Sequence, residues 1–299
     1  MKTILLTGAT GFLGSHILDR LLKENYQIVI LKRSFSDLRR IKENINKCRF
    51  YDIDKCSLEL PFKENHIDCI IHAATNYGRN NNKTSDIVND NLIFPLKLLE
   101  IASFFNTDTF FNTDTFFNTD TLQYKYLTDY TLSKKQFVEW GKSFANAGKI
   151  KFINLMLEHM YGPKDDESKF VTWIIKQLAN NVPEVKLTDG NQKRDFIYVD
   201  DVVEAYVTLL KSNFQTNFDE FEIGTGQTIS IKDFVLKIKG IIEQEFDRHI
   251  ETHLNFGALP MREGEPSEIK ANTAKICSLG WNYQVPLDLG LKITIESII

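Results

Sequence analysis

Residues 2–14 read Lys-Thr-Ile-Leu-Leu-Thr-Gly-Ala-Thr-Gly-Phe-Leu-Gly, an apolar run that breaks into a glycine-rich turn and then passes into an amphipathic helical pattern. Few local sequences restrict a fold as much as this one. A strand that feeds such a turn and then a helix is how a chain builds a dinucleotide phosphate site. Gly8 permits the tight turn, Gly11 lets backbone approach a pyrophosphate, and Gly14 lets helix and strand pack closely. The N–H groups at the helix start then face the phosphates. Three glycines alone say little; their place between an N-terminal strand and a helix carries the argument.

Beyond this unit the chain alternates. Strand-like runs read at residues 4–7, 27–31, 49–53, 69–73, 109–112 and 151–155, with helical patterns between them, clearest at 94–104 and 130–147. Alternation of this kind predicts a doubly wound parallel α/β sheet covered on both faces. After Gly162-Pro163 the elements become shorter and mixed, which predicts a smaller C-terminal α/β lobe. Residues 196–211 look like one more strand and helix returning to the main sheet. The expected division is therefore 1–163 plus about 193–222 for the dinucleotide-binding body, and about 164–192 plus 223–299 for a substrate lobe.

With 299 residues, 42% hydrophobic and 25% charged, the chain is long enough for such a core and ordinary for a soluble globular protein. A net charge of −4 gives no basic footprint for nucleic acid or an anionic membrane. No stretch approaches the roughly 20 apolar residues of a membrane helix. Residues 1–6 are too short a run for a signal peptide. Cys48, Cys56, Cys69 and Cys277 have neither metal-ligand spacing nor a disulfide framework. These features predict a cytoplasmic protein with reduced thiols and no metal.

Residues 104–121 repeat Phe-Phe-Asn-Thr-Asp-Thr three times in tandem. A six-residue period is too short for a solenoid, so one copy is expected to supply the fifth strand and the others to be tolerated duplications. The middle copy leaves a connection on each side, which selects Thr113 as the hydroxyl at that strand.

Tyr130-Thr-Leu-Ser-Lys134 sets a phenol and an ammonium one helical turn apart on one face. A neighbouring cation favours the phenolate and would lower the tyrosine from its reference of about 10. Tyr130 then becomes a usable proton donor or acceptor near neutral pH.

Taken together, Thr7–Gly14, His72-Ala-Ala-Thr75, Asn91, Thr113, Tyr130–Lys134 and Arg194-Asp-Phe-Ile-Tyr-Val-Asp200 resemble the extended short-chain dehydrogenase/reductases, the NAD-dependent epimerase/dehydratase family. Phe94-Pro-Leu-Lys-Leu-Leu99, Phe111-Asn-Thr-Asp114, Leu157–Pro163 and Gly224-Thr-Gly226 are similar to the CDP-abequose and CDP-paratose synthases within it. The resemblance implies a hydride transfer in which Lys134 holds the nicotinamide ribose, Thr113 hydrogen-bonds the sugar oxygen and Tyr130 protonates it. It further implies cofactor contacts at Gly8, Thr10, Gly11, Phe12, Leu13, Asp52, Ile53, Ala73, Ala74, Thr75 and Asn91. Substrate contacts are implied at Tyr77, Arg79, Asp114, His159, Arg194 and Arg262. For Arg194 a structural ion pair with Asp195 or Asp200 stands beside the phosphate role, and for His159 simple packing does.

The second strand ends in Lys32-Arg33-Ser34, where an acidic residue would grip a ribose 2′-hydroxyl. Two cations suit a 2′-phosphate and point to NADP(H), although Asp37 leaves NAD(H) open. Related dehydratases follow the catalytic Thr with Asp-Glu, whereas Thr113 is followed by Asp114-Thr115. Elimination is therefore disfavoured. The expected substrate is a nucleotide-linked 4-keto sugar, reduced at C4, and the expected assembly is a homodimer. A 4-epimerase that retains NAD and a non-catalytic dinucleotide-binding protein are the alternatives.

Overall fold

The computed structural model describes residues 2–79, 82–106 and 113–299. Its chain clusters into two bodies, one of residues 1–156 and 206–221, the other of residues 157–205 and 222–299. Residues 157–163 and 193–205, expected with the first body, cluster with the second.

In the first body a strand and helix alternate: β1 (Thr3–Thr7), α1 (Phe12–Lys23), β2 (Gln27–Lys32), β3 (Arg49–Asp52), α2 (Leu60–Glu64), β4 (Cys69–His72), α3 (Thr84–Val88), α4 (Phe94–Asn106), β5 (Thr115–Thr121), α5 (Asp129–Asn146) and β6 (Lys151–Leu157). All five residues of β1 are buried and β2 is buried over Ile28–Leu31, the continuous apolar reading of strands covered on both faces. Neighbours from β5 through β4, β1 and β2 to β3 pair in parallel. The sheet order is β11-β6-β5-β4-β1-β2-β3, with β11 at Phe218–Ile223. This is the doubly wound Rossmann arrangement, in which the direction of winding reverses beside β1 and leaves a crevice at the strands' C-terminal ends.

The predicted strand at 109–112 lies outside the described residues. The expectation that the middle hexapeptide supplies the fifth strand fails, because the third forms β5. Phe116 of that copy stacks on Phe152 at 5.5 Å and meets Phe137 edge-on, filling the core under α5. The seven residues 122–128 that then reach α5 are an ordinary connection. The strand that returns to the main sheet is β11. Residues 196–198 pair elsewhere, as follows.

The second body holds β7 (His159–Tyr161), α6 (Phe170–Ala179), β8 (Glu184–Lys186), β9 (Lys193–Arg194), β10 (Phe196–Tyr198), β12 (Ile229–Ser230), α8 (Ile231–Glu245), β13 (His253–Asn255), β14 (Glu268–Ile269), α9 (Ala274–Cys277) and α10 (Leu287–Glu296), while α7 (Val199–Lys211) runs from this body into the first. Its strands form small sheets, β10-β7, β12-β9-β14 and β13-β8. Val171, Ile174, Leu178, Phe234, Ile238, Ile242 and Leu291 bury its separate core.

Candidate active site

The turn between β1 and α1 is shaped as its glycines require. Gly8 stands at φ +75°, and a Cβ there would meet Ala74 N at 2.5 Å. A Cβ on Gly14 would lie 2.0 Å from the Gly8 carbonyl oxygen, so only glycine lets α1 start this close to the strand. Gly11 caps α1 with no side-chain acceptor, and the first turn carries no acid. The helix's leading N–H groups, at Phe12 and Leu13, are thereby left to an anion. The Thr7 hydroxyl accepts from Ala74 N at 3.2 Å and bonds His72 Nδ1 at 2.8 Å, which fixes the segment after β4. Burial and the nearby Lys134 charge hold His72 well below its usual imidazole range, so it is neutral.

Asn91 is fully buried in a π-helical turn, residues Asn89–Ile93, at the head of α4. Its oxygen accepts from Asn76 N at 2.7 Å, and its amide donates to the Asn76 carbonyl and to Ser133 Oγ on α5. Thr75 donates to the same Asn91 oxygen at 3.4 Å. Asn91 therefore ties the loop holding Ala73, Ala74 and Thr75 to the helix holding Tyr130 and Lys134. Such π turns recur at functional sites.

α5 starts from Thr128, whose hydroxyl accepts from Thr131 N at 3.2 Å. One turn in, Lys134 is 1% exposed, and its ammonium has no hydrogen-bond partner among the described residues. Burial lowers its pKa to about 8, with Asp120 opposing. An unpaired buried cation is costly. Tyr130 is half-buried, and the Thr121 side chain at the C-terminal end of β5 lies beside its phenol. The Tyr77 ring lies 4.9 Å from that of Tyr130, with the Arg79 guanidinium over Tyr77 at 5.5 Å. The expected acidification of the phenol is overturned. Burial first, then Tyr77 and Asp120, push Tyr130 well above its ordinary value. It is held as an acid.

Thr113 is not part of this group. It precedes β5, is buried, and donates to the Ile67 carbonyl at 2.8 Å. Asp114 beside it accepts from Thr115 Oγ1 and bonds by its N–H to the Asp68 carbonyl. From Thr115 to Thr121 the strand climbs roughly 20 Å at about 3.3 Å per residue, so Thr113 and Asp114 stand at the wrong end. Six residues on, their counterparts in the third copy are Thr119, whose hydroxyl bonds the Tyr206 phenol at 2.6 Å, and buried Asp120, while Thr121, two positions beyond Thr119, is the hydroxyl beside Tyr130. Sequence reasoning missed both because the copies are identical; the extension of α4 to Asn106 is the signal that separates them. Thr121 is followed by Leu122-Gln123, so the glutamate of an eliminating site is still missing.

At the far side of the sheet, Lys32 and Asp52 face each other in register and form an ion pair. Exposed Arg33 lies over the Phe35 ring at 5.3 Å, and Arg39 pairs with Asp37 at 3.2 Å. Thr10 lies in the glycine turn, and Ile53 follows Asp52 at the end of β3. The residues expected to hold a cofactor thus sit at the C-terminal ends of β1 to β4 and on or at the head of the helices α1, α4 and α5.

A family model described as the NAD dependent epimerase/dehydratase family matches residues 4–224, most of the chain and all of the elements just described. The chain belongs to the NAD dependent epimerase/dehydratase family. A CDP-abequose synthase from Salmonella muenchen is 38% identical over 97% of this chain and 96% of that protein. A putative UDP-glucose 4-epimerase from Methanocaldococcus jannaschii is 28% identical over 97% of this chain and 96% of its own. The solved UDP-glucose 4-epimerase of Thermotoga maritima superposes with a TM-score of 0.81 at 23% identity, covering 99% of this chain and 98% of its own, and so shares the fold.

The remaining family positions lie in the second body. His159 Nδ1 is 3.0 Å from Glu158 Oε2, and its ring meets Phe196 edge-on. Glu158 is buried with its other oxygen unpartnered among the described residues, and burial pushes its pKa up. Arg194 is buried too, but its partner is Glu265 rather than Asp195 or Asp200. Asp195 instead accepts from Thr225 and Gly226 N–H groups and orders that turn. Arg262 is exposed, and its carbonyl accepts from Glu265 N at 3.2 Å. No group of metal-ligating side chains occurs, and no helix is long and apolar enough to cross a membrane, among the described residues.

Proposed function

We propose that this protein is an NADP(H)-dependent oxidoreductase that reduces the C4 ketone of a nucleotide-linked 4-keto-deoxy sugar, a CDP-4-keto-3,6-dideoxyhexose, in surface-polysaccharide biosynthesis. The observation that carries the reading is the meeting of Thr121, a protonated Tyr130 and an unpartnered Lys134 behind a glycine-built phosphate turn. The similarity to CDP-abequose synthases supports this choice of substrate.

When bound here, a reduced nicotinamide would supply hydride to the carbonyl carbon. The α1 amides and Gly8–Leu13 turn would hold the diphosphate, and Lys134 would hold the ribose hydroxyls with its charge. Thr121 donates a hydrogen bond to the ketone oxygen and orients it. Tyr130 gives that oxygen its proton, so the carbonyl becomes an alcohol. A phenol whose surroundings oppose ionisation is suited to giving a proton. Arg262 and His159 supply the contacts to the nucleotide diphosphate and sugar, with Arg194 held against Glu265. Arg33 is the cation for the 2′-phosphate, since Lys32 is engaged by Asp52. That ion pair also favours a second reading, a 4-epimerase that retains NAD. A cytoplasmic homodimer through α4 and α5 fits the exposure of Ile93, Phe104 and Trp140 on or beside those helices.

The test is incubation with nucleotide-linked 4-keto sugars, followed by NADPH absorbance and product NMR. Stoichiometric NADPH loss with a C4 alcohol is expected. Bound NAD surviving purification, with interconversion of C4 epimers and no net oxidation, would establish the second reading instead.

A further inference from the structure

Behind the reacting face lies a buried polar cluster that none of the roles above uses. Asp120 has a side chain 1% exposed, and Lys135 on α5 reaches it at 2.7 Å. The same ammonium donates to the Thr121 carbonyl at 2.6 Å. Asn154 on β6 donates to Asp120 at 3.2 Å and to Glu220 on β11 at 3.1 Å, and accepts from Asn118 at 2.8 Å. The other Asp120 oxygen is buried without a partner among the described residues.

We propose that Asp120 and Lys135 form a buried clamp that fastens the end of β5 to the first turns of α5, and so positions Thr121, Tyr130 and Lys134 around one carbonyl. The inference rests on the reductase reading only for what that carbonyl is. Lys135 directly follows Lys134 and grips the backbone of Thr121 itself, so one side chain sets the gap between the strand hydroxyl and the helix that bears the phenol. Stability does not account for the pair, because a buried ion pair rarely outperforms apolar side chains of equal volume. A misplacement of about 1 Å at such a site costs on the order of 100-fold in rate.

The clamp also sets local charge. The groups facing Lys134 and Tyr130 are His72 from β4, Tyr77 from the segment after it, Asp120 from β5, Lys135 from α5, and Glu220 of β11 through Asn154. Asp120 favours the charged form of Lys134 and the neutral form of Tyr130, whereas Lys135 disfavours the charged form of Lys134. The two halves of the clamp therefore act on Lys134 in opposite directions.

The experiment reads the Lys134 13Cε shift against pH in lysine-labelled, cofactor-free protein, with Lys134→Arg for assignment. The wild-type midpoint is expected at about 8. Asp120→Asn should move it down and Lys135→Gln up, the signs following from the charge each removes. Both variants should lose kcat by about 10-fold or more with little change in KM, and Lys135→Arg should restore most of it. Midpoints that stay put or move in the same direction in both variants would overturn the clamp. If Asp120→Asn does not fold, the sign of the Lys135→Gln shift and the rescue by Lys135→Arg decide. The titration needs no substrate, so it stands even if the reductase reading fails.

Discussion

Two threonines separated by eight positions make opposite predictions. Thr121→Val removes the hydroxyl beside Tyr130 while keeping the shape of a β-branched side chain at the end of β5. A donor aimed at an oxygen that gains charge in the transition state contributes about 2.7–4 kcal/mol, or roughly 100- to 1,000-fold in kcat. KM and melting temperature should barely move. Thr113→Val removes a donor to the Ile67 carbonyl at 2.8 Å and leaves that carbonyl unpaired in a fully buried place. That costs about 1–3 kcal/mol of stability and lowers the melting temperature by a few degrees, at roughly 2–4 °C per kcal/mol. It leaves kcat unchanged. NADPH-coupled turnover and a thermal melt on both variants separate the cases. A Thr121→Val enzyme at wild-type rate, or a slow Thr113→Val enzyme with a wild-type melt, refutes the placement of β5.

Tyr130→Phe should lower kcat by about 100- to 10,000-fold while the dissociation constant for reduced cofactor, read by fluorescence, changes little. Cofactor binding should weaken as pH rises through about 8, because Lys134 loses its proton there and donates to ribose without charge assistance; affinity flat from pH 7 to 9.5 would contradict this. Arg33→Ala should weaken NADPH about 10-fold or more by loss of a charge-assisted phosphate contact and leave NADH alone. Equal losses for both cofactors would mean that Arg33 does not read the 2′-phosphate.

Wherever the signal is local, the sequence shows the site. The glycine turn, the continuous apolar strands β1, β2 and β4 and the one-turn spacing of Tyr130 and Lys134 depend on near neighbours, and all are present as read. What was hidden depends on distant partners. Glu265 lies 71 positions from Arg194, and Asn154 lies 34 from Asp120. Tyr130 was expected to be acidified because Lys134 is visible in sequence. The burial that reverses the shift, and the Tyr77 and Asp120 charges that add to it, appear only once the chain is folded. Lys32 and Asp52 are opposed by the parallel register of β2 and β3, which turns one of two expected phosphate cations into half of an ion pair.

The repeat poses the hardest case, because residues 107–115 and 113–121 are identical: Thr-Asp-Thr-Phe-Phe-Asn-Thr-Asp-Thr. A six-residue slip is even, so it keeps every side chain on its own face of the sheet, and each contact of Thr113, Asp114 and β5 would find the same residue type. Strand packing therefore cannot choose between the copies. The choice falls to α4, which extends to Asn106 and buries Phe105 to 6% exposure, stacked on Phe62 at 5.3 Å. If the earlier copy were the strand, Thr107 would take the place of Thr113 directly after Asn106, with no connection left, and the last turn of α4 would have to unwind. Losing the burial of one phenylalanine costs about 1.5–3 kcal/mol. A chain lacking residues 107–112 forces that geometry while keeping the whole β5 sequence. It should fold and turn over at the wild-type kcat, but lose about that much stability in urea unfolding. Full stability in the shortened chain would show that α4 does not select the copy; loss of turnover with the fold intact would show that the six residues serve the active site.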